Sequence, residues 1–201
     1  ISHIQLGLTS LHRRFNIRVG EFILELQPGQ TVYVLSKEFA QSNTKSAEPV
    51  KYIRDNQLPF EDDLFKIERI YDKNECELVF NGSMFKGIRT LRNHVLVVPE
   101  SVQEKTDILH ILYRANHPKI DTLMGEAVPF MQEIELPDMY LQALLYFVAS
   151  RVMNPIGINQ EFHDGNNYSK KYEFECQRLE QENFQIDDIE DNNKFHNSGF
   201  V

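Results

Sequence analysis

A chain of 201 residues with 41% hydrophobic residues, 14 Phe and 8 Tyr among them, carries enough apolar bulk for a core, which excludes wholesale disorder. Its formal net charge of −9 argues against a nucleic-acid groove, which needs clustered Lys and Arg, and suits basic partners. Two cysteines, Cys76 and Cys176, exclude a disulfide framework and fit a reducing cytoplasm. No run of about 18 apolar residues is present to span a membrane, and the first residues lack the layout of a secretion signal.

Ile1, Ile4, Leu8, Leu11 and Phe15 fall on one helical face, and His12, Arg13 and Arg14 end it with charge that suits the helix dipole. Because the chain opens inside this pattern, the helix is expected to begin before Ile1. Residues 21–26 and 31–35 flank Gln27-Pro28-Gly29-Gln30, an order that favours a type II turn, and predict a β-hairpin. From 36 to 62 the chain is polar with scattered apolar residues, a long surface excursion. Alternation returns over 65–70, and Asp72-Lys73-Asn74 turns the chain into Cys76, Leu78 and Phe80 for a second hairpin, with Cys76 facing inward. Residues 95–99 and 108–113 predict another strand pair across the polar stretch 100–106, and 133–136 a short last strand.

At Pro137-Asp138 the period changes. From Met139 to Met153 nearly every side is apolar (Leu141, Leu144, Leu145, Phe147, Val148, Val152), so this helix is central or shared with a neighbour. Asn154-Pro155 and Gly157 stop it. Asn166 or Asn167 is the expected cap of a second helix over 168–180, with Tyr168, Tyr172, Cys176 and Leu179 on one stripe and Lys171 paired to Glu175. From Glu182 onward the chain is rich in Asp and Asn, and Phe184, Ile186, Ile189, Phe195 and Phe200 are widely spaced. Such a segment does not fold alone; a frayed terminus and an arm docking on another subunit fit it equally.

The expected fold class is α+β: a small helical bundle (N-terminal helix plus C-terminal helix hairpin) with an inserted antiparallel β block and an extended C-terminal arm. Its bundle comprises 1–16 and 137–181, the β block 17–136, and the arm 182–201.

No catalytic constellation emerges. There is no Walker A pattern and no Gly-x-Ser-x-Gly elbow. His110 and His117 lack a third metal ligand at useful spacing, and His110 reads as an outward strand residue. Cys176 lies on an apolar stripe among Glu173, Glu175 and Glu180, surroundings that disfavour a thiolate. Acidic pairs such as Asp62-Asp63 and Asp187-Asp188 read as solvated surface, and 187–191 lacks the Gly and terminal Glu of an EF-hand loop. No enzyme activity, catalytic residue, metal or cofactor is expected.

Three stretches carry a family resemblance: Ile111-Leu112-Tyr113-Arg114-Ala115-Asn116-His117-Pro118-Lys119, then Glu133 to Pro137 opening the apolar helix 141–152, then Gly165-Asn166-Asn167-Tyr168-Ser169-Lys170-Lys171-Tyr172-Glu173 with Glu175-Cys176. Their order resembles the head-to-tail adaptor (connector) proteins of tailed bacteriophages, and Gly7 to Phe15 looks like the end of that family's first long helix. The resemblance implies a virion structural protein of the phage neck, assembled in the host bacterial cytoplasm. It implies a homo-oligomeric ring matching the portal's usual twelve-fold symmetry, between the portal protein and a tail tube or nozzle protein, with DNA passing through but not bound by sequence. A C-terminal arm would grip the portal or a neighbouring subunit through Phe184, Ile186, Ile189, Phe195 and Phe200. An alternative is a tail nozzle or receptor-contacting β-domain binding module.

Overall fold

The computed structural model describes residues 2–55, 59–82, 87–118, 120, 134–153 and 160–187, with the backbone alone at 160–164 and 183–187. The chain is α+β and divides into two compact units, Asn16–Pro118 and Ile1–Phe15 with the residues from Lys119 onward. The division after Pro118 comes earlier than the expected 136. The last strand ends at Ala115, and the Ile120 amide already donates to Gln5 of the first helix (2.8 Å).

The β unit holds two antiparallel sheets. In the first the order is β3 (Ile53–Arg54), β1 (Val19–Glu25), β7 (Ile108–Ala115), β4 (Leu64–Tyr71); in the second it is β2 (Val32–Val34), β6 (Val95–Val97), β5 (Arg89–Arg92). Strict alternation makes β7 a central strand: Leu109, Ile111, Tyr113 and Ala115 are buried, and it pairs with β1 on one side and β4 on the other. Phe22 and Leu24 of β1 lie opposite Ile111 and Leu109, and together with Ile67, Ile70, Tyr33 and Leu96 they join one core that draws on both sheets.

Sequence periodicity located most strands but mispaired them. Pro28-Gly29 does turn the chain, with Gly29 at φ 78° and the Gln30 amide donating to Gln27 O (3.0 Å). The flanking strands enter different sheets, however, because Phe22, Leu24 and Tyr33 must all face the same core. Residues 95–97 and 108–115 are not partners either: both edges of β7 are taken, and the four-residue helix α2 (Glu100–Gln103) intervenes. After β4, the Asp72 carboxylate accepts from the amides of Asn74 (2.8 Å) and Cys76 (2.9 Å), an Asx-type turn. Cys76 belongs to that turn and is exposed, not inward; the return begins where the Leu78 amide donates to Ile70 O (2.8 Å). Residues 134–136 form no strand, and Glu133 lies outside the described residues.

The polar stretch 36–62 is not a free excursion. Ala40, Tyr52, Ile53 and Phe60 are core residues, and Phe39 stacks on Tyr52 with centroids 4.7 Å apart. Asp55, 4% exposed, accepts from the Ser42 amide (3.0 Å), the Ser42 hydroxyl (2.5 Å) and the Phe60 amide (2.7 Å), clasping the stretch to itself.

In the helical unit, α1 (Ser2–Arg14), α3 (Leu141–Val152) and α4 (Gln160–Asp187) carry the structure. Helix α4 starts before the expected cap, so Asn166 and Asn167 are interior helical positions. It also continues through Asp187, so the first part of the expected extended arm, residues 182–187, is helical. Weak propensity at Gly165-Asn166-Asn167 is overridden by packing, with Gly165 itself buried.

Candidate assembly surfaces

The inner faces of the helices interlock. Leu8, Leu11 and Phe15 of α1, Ala143, Leu144 and Phe147 of α3, and Tyr172, Cys176 and Leu179 of α4 are buried. Gly7 lets α1 approach α3 closely: a Cβ there would meet the Leu144 Cδ1 at 2.6 Å and the Phe147 ring at 3.0 Å. The Phe147 and Tyr172 rings meet edge to face at 5.3 Å, and the Ser10 and Tyr172 hydroxyls are hydrogen-bonded at 2.9 Å. Burial, partly offset by Ser10, pushes the Tyr172 phenol up to about 12. Burial likewise raises the Cys176 thiol, which disfavours the thiolate, and the residue packs among the helices.

Arg14 ties α1 to α4. Its Nε and Nη2 donate to the Glu180 carboxylate (2.6 and 3.2 Å), and its Nη1 donates to Glu173 (2.7 Å). The hydrogen bond from Arg14 holds Glu180 below the usual carboxylate range, and the same bond raises Arg14. Lys171 does not pair with Glu175 as expected. Its ammonium lies over the Tyr168 and Tyr146 rings (5.2 and 5.9 Å), and Glu175 instead accepts from Arg178 (2.7 Å).

The outer face of α3 is the unusual surface. Leu141, Leu145 and Val152 are 49%, 53% and 57% exposed, with Val148 half-buried between them. Their spacing of four, three and four residues makes one straight stripe, the pattern that packs against another helix. From Leu141 to Ser150 the helix has no charged residue, and Arg151 flanks the stripe only at its Val152 end, so covering the first three positions desolvates no ion of this helix.

The β unit has its own feature. On the face of the first sheet away from the core, Glu21, Ile23, Arg54, Tyr71, His110 and Leu112 line a hollow of about 630 Å³, with Glu75 of the β4 turn. His110 does sit on the outward side of its strand, opposite Ile23. Nothing in the sequence periodicity announced this hollow, because three of its strands were mispaired and the fourth, β3, lay in the stretch read as a polar excursion.

Of the residues expected to bind a partner, Phe184 and Ile186 belong to the last turns of α4 by their backbone. Ile189, Phe195 and Phe200 lie outside the described residues. Among the described residues, no group of three or more His, Cys, Asp or Glu is placed to hold a metal ion, and no helix is long and apolar enough to cross a membrane. No family model matches the chain, and no curated protein matches it.

Proposed function

We propose that this chain is a non-enzymatic virion protein, one subunit of a ring that connects the portal of a tailed phage to its tail. The observation that carries the reading is the bare, charge-free stripe of α3. Among the described residues, Leu141, Leu145 and Val152 keep about half of their surface exposed, and fully burying a side chain of this kind from full exposure is worth about 1.5–3 kcal/mol. A neighbour's helix is the simplest cover for such a stripe. The succession of apolar helix and Tyr- and Glu-bearing helix, with Tyr113-Arg114-Ala115-Asn116-His117-Pro118 before them, supports the phage connector family in particular. In this reading the helices form a small bundle that builds the ring. The segment after α4, with Ile189, Phe195 and Phe200, is an arm on the portal or a neighbouring subunit.

The test is the native mass of the complex recovered with the tagged chain from the cells that make it. Many copies of the chain on a portal ring are expected; single copies free of portal would refute the proposal. One observation favours the second reading, a tail nozzle or receptor-contacting module: the hollow on the open sheet face of the β unit.

A further inference from the structure

The ring reading makes no use of the sheet-face hollow. Its geometry is a grid set by strand register: Arg54, Ile23, His110 and Tyr71 form one row across β3, β1, β7 and β4, and Glu21, Leu112 and Arg69 form the next, with the Arg69 Nη1 donating to the Tyr71 hydroxyl at 3.4 Å. Side chains on one face repeat about every 7 Å along a strand, the same repeat as alternate side chains of an extended peptide. Ile23 and Leu112 are half-buried and give the hollow an aliphatic floor.

Its electrostatics have a sign. Arg54 is engaged by Glu25 at 3.5 Å. Glu21 and Glu75 are exposed and make no ion pair with any described residue; with Asp55, the described lining carries three carboxylates against the one guanidinium of Arg54, so the charge of the lining is negative on the side away from Arg69. An anionic ligand or nucleic-acid phosphate is therefore disfavoured, and a cation beside the Glu21 carboxylate, on the edge of the hollow away from Arg69, is favoured.

We propose that the hollow binds an extended peptide segment of a partner protein that carries a Lys or Arg next to an aliphatic residue. The basic side chain pairs with Glu21 and the aliphatic one covers Ile23 and Leu112, while Glu75, in the turn beyond Tyr71, takes a second basic side chain where the segment carries one. This sharpens the binding-module reading and is independent of the ring. The ring is judged by native mass, and a failed titration here leaves it untouched.

The probes are three fluorescent pentapeptides, Lys-Leu-Arg-Val-Lys, Gln-Leu-Gln-Val-Gln and Glu-Leu-Glu-Val-Glu, titrated with the full chain. The basic peptide is expected to bind about tenfold more tightly than the other two, a difference of roughly 1.4 kcal/mol. Binding should shift the Ile23 and Leu112 methyl resonances. Glu21→Gln, an exposed change that preserves shape, should weaken it about fivefold. Leu112→Trp, which fills the hollow without altering charge, should abolish it. Equal binding of the three peptides, or none, overturns the proposal. So does unchanged binding of the basic peptide by both variants, which would mean diffuse attraction to a chain of net charge −9.

Discussion

Arg14 shows how a single side chain orders the helical unit. Both of its carboxylate partners are partly exposed, Glu180 at 43% and Glu173 at 57% of the side chain, so solvent screening keeps the clamp modest. Arg14→Gln should cost about 1 kcal/mol in urea unfolding at neutral pH. Glu180 has a depressed folded-state pKa. Its share of that stability is therefore complete above the unfolded carboxylate value of about 4.3 and is lost as pH falls through the depressed value. The difference between wild type and Arg14→Gln should accordingly shrink towards zero in acid; a constant difference would contradict the clamp.

Asp55 and Gly20 act in the β unit. Asp55→Ala leaves the buried Phe60 amide and the two Ser42 donors without their acceptor, and should cost about 3 kcal/mol. At Gly20 an added Cβ would fall within the Tyr113 ring, 2.7 Å from Cε1. That ring cannot step aside. Its hydroxyl donates to Asp63 (3.0 Å), and it lies against Phe22 and Phe60 with centroids 5.5 and 5.8 Å away. Gly20→Ala should therefore destabilise by about 2 kcal/mol, read by denaturant midpoint.

At the scale of elements, α3 separates stability from assembly. Leu145→Glu lies on the outer stripe, away from Leu144 and Phe147, and should change the melting of the single chain little while abolishing its association. A large loss of helicity would instead mean that Leu145 is an internal packing residue. The sequence made the helices legible because their stripes are local: Leu8, Leu11 and Phe15, or Tyr172, Cys176 and Leu179, are spaced within a few turns. Strand pairing was not legible, because alternation along β1 or β7 says which side is buried but not which strand lies alongside. The same limit hid the clasp at Asp55 and the hollow around His110. Both are made by residues brought together from separate stretches of the chain, where single-sequence periodicity has no reach. The extension of α4 to Asp187 was missed for another reason: packing overrode the weak helix formers at its start, and its last turns are polar.

At the scale of the whole molecule, the two units offer different surfaces. The helical unit has a half-exposed apolar stripe on α3, proposed above to meet a like subunit, and the β unit has a hollow proposed to take a basic segment. In the proposed reading the α3 stripe builds the ring, and the hollow serves a separate partner. The native mass of the assembly isolated from the producing cells tests this most directly. A closed ring of many copies carrying a portal is expected, lost in Leu145→Glu. A wild-type chain recovered only as single copies, with no portal attached, would contradict it.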